Sequence, residues 1–205
     1  MTKGETTRQR IIAEAAPIFN QRGFEGASMQ DIMQATGLEK GGLYRHFSSK
    51  EELAVEAFRY ALDRSVRLKA PVVPPGTNAV DHLCLLVEHF VASKSGLPGG
   101  CPLMNTAIDS DDGNPALRDL ARKGIQNWQA RLTAIVDAGL KRGEIRKGTL
   151  SRRIANTLIA TLEGALMMAR IEGRSAALQD AQESLIDMLR QLAPDRELTR
   201  QRHTA

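Results

Sequence analysis

Apolar residues recur along this chain at intervals of three and four, the period of a helix that buries one side. Ile11, Ile12, Ala15, Ala16 and Phe19 predict a first helix over about residues 7–22, stopped by Gly23. Pro17 lies inside it, where a ring without an N–H is expected to bend the helix. A short helix follows from Ser28, with Asp31 placed for a capping box and Ile32 and Ala35 on its apolar side. Gly37 after Thr36 reads as a helix stop, because glycine takes positive φ without steric cost. Leu38, Leu43 and Phe47 then face the same small core. Ser49, with Glu52 three residues on, predicts a capping box for the next helix. Leu53, Ala57, Phe58, Ala61 and Leu62 mark the buried side of that helix, which is expected to connect two halves of the protein. Pro71, Pro74, Pro75 and Gly76 end it in a stiff linker.

The helical period continues to the end of the chain. Val80, Leu83, Cys84, Val87, Phe90 and Val91 predict a helix over about residues 77–93. Pro102 opens a short helix to about residue 108, since proline suits the first helical position. Asn114 and Pro115 open a long one to about residue 142, closed by Gly143. Two more are expected at about 150–172 and 175–192. The last carries Leu178, Ala181, Leu185, Met188 and Leu192 at spacings of three, four, three and four, which predicts a seam for a partner helix. The helix before it carries Ile154, Leu158, Leu162, Ala165 and Ala169, with small Ala160 and Gly164 permitting close approach. The pattern contains no strand, so the expected fold class is all-α. Residues 194–205 form a polar tail expected to lack order.

Between Ser28 and Lys50 the pattern is two short helices around a glycine turn, a helix-turn-helix. The second helix is expected in the DNA major groove. Lys40, Tyr44, Arg45 and His46 can all donate to phosphates or base edges. The run Leu43-Tyr44-Arg45-His46-Phe47-Ser48-Ser49-Lys50-Glu51-Glu52-Leu53 resembles the end of the TetR-family DNA-binding domain. So does Lys40-Gly41 before it, and so do Ala15-Ala16, Phe19 and Arg22-Gly23-Phe24 upstream. The resemblance implies an N-terminal DNA-binding domain at 1–50 and a C-terminal helical bundle for ligand binding and dimerisation at 51–193. It implies that Tyr44, His46 and Lys50 contact the DNA backbone, and that Lys40, Gly41, Gly42 and Arg45 lie near base edges and phosphates. Arg45 can address guanine bidentately or sit on a phosphate. Ser28 and Met29 open the first helix of the motif and are candidates to bring a hydroxyl and a backbone N–H to phosphate, while Ser28 fits equally as a plain cap. Glu39 stands where the family often has Ser or Thr, leaving the second helix without its usual cap.

The resemblance also implies a small-molecule effector within the bundle. Phe90, Met104, Trp128, Met167 and Met168 are the candidate lining, and each also fits as ordinary core. Cys101, between Gly100 and Pro102, is expected at an N-cap, where helix dipole and N–H groups favour a thiolate. It is either a reactive sensor or a small packing residue. His82 and His89 are too far apart for one metal ion without further ligands. The acidic stretch 109–113 lacks calcium-loop spacing. No phosphate-binding loop, nucleophile elbow, dinucleotide fingerprint or zinc motif occurs, so no enzyme, cofactor or metal is expected.

Charge narrows the picture further. The 205 residues carry a net charge of +4, which permits a nucleic-acid partner. Residues 1–50 hold seven basic and five acidic side chains, a net of only +2, so selected contacts rather than a broad field must hold DNA. The first residues are polar, and no run approaches about 18 uninterrupted apolar residues, so neither signal peptide nor membrane span is expected. Two cysteines are too few for a disulfide scaffold. The expected protein is a cytoplasmic homodimer, a repressor released from a palindromic operator by a small-molecule or reactive inducer. The alternative is a DNA-binding protein without a ligand, its bundle serving only dimerisation or protein contacts.

Overall fold

A computed structural model describes residues 2–93 and 96–194, so the expected tail beyond Pro194 lies outside the described residues. Among them are nine helices and no strand: α1 Lys3–Gly26, α2 Met29–Thr36, α3 Lys40–Tyr44, α4 Lys50–Leu68, α5 Ala79–Ala92, α6 Pro102–Ser110, α7 Pro115–Arg142, α8 Ser151–Glu172 and α9 Ala176–Arg190. The fold is all-α.

Caps explain most of the boundaries. Thr2 and Glu5 form a capping box, which starts α1 ahead of its apolar pattern. Helical dihedrals run through Pro17 and break instead at Gly23, whose φ of 73° is left-handed. Asn78 and Asn114 cap α5 and α7 through their side-chain oxygens. Half of the box expected at α4 is present, the Glu52 N–H donating to Ser49 Oγ at 3.0 Å. The Glu52 carboxylate reaches one residue further back, accepting from the Ser48 N–H and hydroxyl at 2.8 and 2.7 Å.

The chain forms two compact units. The first is Met1–Leu68 with Lys94–Gln126, the second Lys69–Ser93 with Asn127–Ala205. In the first, Ile11, Ala15, Ile32, Leu43, Phe47, Leu53, Ala57 and Ala61 make one core. So α4 lies along α1 within this core, and the unit extends past residue 50 to include α6. On α2, Thr36 is buried and Ala35 is exposed, the reverse of what polarity suggests. The Thr36 hydroxyl donates to the Ile32 carbonyl at 2.8 Å, which satisfies it in place.

The second unit packs α5, α8, α9 and the later part of α7 around Leu83, Val87, Val136, Leu158 and Leu189. The seam read on α9 is used here. Leu185 is 3% exposed, and Ala181 and Leu192 are buried beside it against α5 and α8, so the seam closes the protomer's own core. A three-four spacing reports an apolar face but not which neighbour covers it. The helix α8 is long and apolar enough to cross a membrane by composition, with a mean hydropathy of 1.3 over its best window. Its apolar character has two sources. Ile154, Leu158 and Leu162 are in the core, and Met167, Met168 and Ile171 are exposed on the other side.

Candidate nucleic-acid interface and effector site

The helix-turn-helix is built from closely fitted caps. Ser28 Oγ accepts from the Asp31 N–H at 3.1 Å, and Asp31 accepts from the Ser28 N–H at 3.0 Å and from its hydroxyl at 2.7 Å. Arg22 pairs with the same carboxylate at 2.7 Å, tying the end of α1 to the start of α2. These partners, the Ser28 hydroxyl foremost, hold the Asp31 carboxyl down at about 2. Ser28 is therefore engaged as a cap, and Met29 packs against the first core. At the other end, Arg10 donates to the Thr36 carbonyl at 2.9 Å, and Gly37 turns the chain with φ of 64°. The helix α3 follows, capped by Glu39 without a side-chain hydrogen bond. Leu43 and Phe47 anchor it in the core. Lys40, Gly41, Tyr44 and Arg45 are exposed, with Gly42 and His46 half-buried. Lys50 is half-buried too, its ammonium 4.4 Å above the Phe24 ring, which in turn stacks on Phe19. The contacts of Arg10 with the Thr36 carbonyl and of Arg22 with Asp31 left no trace in the sequence, because both reach from α1 to α2.

The candidate effector residues fall into three places. In the second unit, Phe90 and Trp128 stack with ring centroids 5.9 Å apart. Lys69 completes this group, its ammonium 3.3 Å from the Phe90 centroid, which adds a cation–π contact that polarity alone could not flag. In the first unit, Cys101 and Met104 belong to the start of α6. Cys101 is the N-cap residue, as its Gly-Cys-Pro setting predicts, but it is 9% exposed and its side chain makes no cap hydrogen bond. Met167 and Met168 are 54% and 49% exposed on α8, so the protomer does not enclose them. No group of metal-ligating side chains occurs among the described residues.

Comparison with known proteins agrees with the motif. Residues 11–57 match the family model for bacterial regulatory proteins of the tetR family, and residues 78–185 match the tetracyclin repressor-like C-terminal domain. The chain belongs to the TetR family of transcriptional regulators. It is 35% identical to the HTH-type transcriptional regulator UidR of Escherichia coli (strain K12), over 78% of each chain. It is 25% identical to the HTH-type transcriptional repressor DhaR of Mycobacterium sp. (strain GP1), over 80% of this chain and 83% of that one. A crystal structure of a TetR transcriptional regulator from Chloroflexus aurantiacus J-10-FL is 42% identical. It superposes with a TM-score of 0.89, covering 94% of this chain and 98% of the other. These relatives are regulators rather than enzymes.

In this TetR-family chain a polar clamp joins α1 to α6 within the first unit. Asn20 Nδ2 donates to the Pro98 carbonyl at 2.7 Å and to the Gly100 carbonyl at 3.3 Å. Asn105 Nδ2 donates to the Asn20 carbonyl at 3.0 Å, to Asn20 Oδ1 at 3.1 Å and to the Gly99 carbonyl at 2.8 Å. Gly99 has φ of 102°, and a Cβ there would lie 2.7 Å from the Asn20 carbonyl oxygen. Further along α6, Asp109 accepts from the Phe24 N–H at 2.7 Å. A small cleft lies between these contacts, lined by Phe19, Asn20, Phe24, Phe58, Asn105 and Asp109 among others.

Proposed function

We propose that this regulator is a cytoplasmic homodimeric repressor that a small-molecule effector releases from a palindromic operator. The observation that carries the DNA reading is α3, a short helix anchored by Leu43 and Phe47 that leaves Lys40, Gly41, Tyr44 and Arg45 open. Such a helix reads the major groove, with flanking residues on phosphate. That the similar protein DhaR is a transcriptional repressor supports negative control.

Dimerisation is supported by α8. Ala160, Gly164, Met168 and Ile171 share one face, and Ile171 is 80% exposed. A second copy of the same face across a two-fold axis covers this stripe. Effector response is supported by the Lys69–Phe90–Trp128 group, which combines aromatic faces with a cation. Release is a population shift towards a conformation whose two recognition helices no longer match the half-site spacing. Both α4 and α6 pack on α1, so motion of either re-aims α1–α3. Against an effector stands the burial of Phe90, which suits a regulator whose bundle only dimerises.

Two substitutions test the DNA reading. Tyr44→Phe and Lys50→Ala are expected to weaken binding alike on different sequences, because phosphates carry no sequence information. Lys50→Ala should also reduce the log–log salt slope by about 0.9. Phe24→Leu removes the ring under Lys50 but keeps its charge, and should leave the slope intact. A Lys50→Ala protein with altered sequence preference and an unchanged slope would contradict the assignment.

A further inference from the structure

The positive charge of this protein is concentrated away from its helix-turn-helix. Residues 141–153 contain Lys141, Arg142, Arg146, Lys147, Arg152 and Arg153 against a single acid, Glu144. Outside this segment lie 22 of the 28 basic residues and 23 of the 24 acidic ones, so the rest of the chain is net −1. All six cations are exposed. They belong to the second unit, on the last turn of α7, the turn that follows, and the first turn of α8.

Two features separate this cluster from an ordinary solvated surface. Outside the cluster, seven of the thirteen described arginines have a carboxylate partner: Arg8, Arg10, Arg22, Arg59, Arg67, Arg122 and Arg174. Within the cluster only Arg142 has one, Glu144 at 2.8 Å. Lys141, Arg146, Lys147, Arg152 and Arg153 have none among the described residues. The second feature is position. Arg152 and Arg153 occupy the first turn of α8, which holds no acidic residue. Cations there face the positive end of the helix dipole, an arrangement that disfavours the helix unless an anion lies across them.

The turn is also held in shape. Ile145 is buried beneath it, and the Arg146 N–H donates to the Leu192 carbonyl at 2.8 Å. The Arg146 carbonyl accepts from the Thr149 hydroxyl at 2.9 Å, and Ser151 binds Asp137. Gly143 and Gly148 provide the left-handed residues, with φ of 72° and 85°. The cations are therefore mounted on a fixed turn.

We infer that the α7–α8 turn is a second contact for the phosphate backbone of duplex DNA, independent of sequence and carried by residues other than the helix-turn-helix. Four of the six cations are arginine, whose planar fork suits phosphate oxygens. A duplex presents about one negative charge per 1.7 Å of axis, dense enough to engage several of them together. An anionic membrane would be met with an apolar face beside the charges. Leu150 is the one exposed large apolar side chain within the segment.

The test measures binding of the full-length protein to a fluorescent duplex of random sequence, about three helical turns long, against salt concentration. The variant R146Q/K147Q/R152Q/R153Q is expected to bind at least about tenfold more weakly at low salt, with the log–log slope reduced by about three. In the unaltered protein, Lys141 and Lys147 should be protected from an acetylating reagent several-fold by the same duplex, which keeps the test independent of how the variant folds. Unchanged slope and affinity in the variant, or equal acetylation with and without duplex, would overturn the inference. So would a variant that keeps its DNA binding but no longer sediments with phosphatidylserine vesicles.

Discussion

Asp31 holds two elements at once, since it closes the capping box of α2 and pairs with Arg22 of α1. Its carboxyl is held at about 2, below the ordinary 3.8, so the folded state prefers it ionised. Stability from a depressed carboxyl is complete above the unfolded value and is lost as pH falls through the folded one. Thermal unfolding of the wild type and Asp31→Asn should therefore differ at pH 6 and converge as the pH falls from about 4 towards 2. A constant gap down to the lower pH would mean that the charge is not what stabilises the turn. This cap was legible from Ser28, Asp31 and their spacing. The Arg22 pair was not, because local spacing carries no signal for a contact between two helices. Cys101 shows the same division. Its N-cap position follows from Pro102, but its burial depends on what α6 packs against.

Among the helices, the informative contrast is between α8 and α9. The apolar face of α9 is as regular as a coiled-coil seam, yet α5 and α8 of the same protomer cover it. Leu185→Glu would therefore put a charge into the protomer's core and unfold it, which makes that substitution a poor probe of assembly. Gly164 is the better probe. A glycine inside a helix costs about 1 kcal/mol relative to alanine, and a Cβ here would meet nothing within 4 Å in the protomer. What it offers is room for a second chain. Gly164→Trp should leave the protomer folded and shift the protein to monomers in light scattering; an unaltered dimer would place the interface elsewhere. The α1–α6 clamp makes a second element-scale prediction. Asn20 is buried, and Asn105→Leu would strip a donor from its carbonyl and side chain. A loss of about 1–3 kcal/mol in denaturant unfolding is expected. Helix existence and several caps were written in the local pattern, although the bend expected at Pro17 is absent and α1 starts earlier than its apolar pattern. The clamp was not, since its partners lie 78–85 residues apart and two asparagines have no period.

For the whole molecule, the proposed switch is a thermodynamic cycle with DNA and effector as its two ligands. Each can shift the protein only by its difference in affinity for the two conformations. If an effector weakens operator binding by some factor, operator DNA must weaken effector binding by the same factor. A regulator that only dimerises has no such cycle. Screening aromatic carboxylates by thermal unfolding is a direct start, because the Lys69 ammonium lies beside the Phe90–Trp128 stack. A compound at about 100 times its dissociation constant stabilises the free protein by about 2.7 kcal/mol. The same titration repeated on protein saturated with its operator should show a smaller stabilisation, with the affinity ratio equal to the loss of DNA affinity measured in the opposite order. Lys69→Met should weaken the carboxylate without changing DNA binding in its absence. Equal effector affinity with and without operator would sink the proposed release mechanism even for a compound that binds tightly, because a ligand indifferent to the two conformations shifts neither.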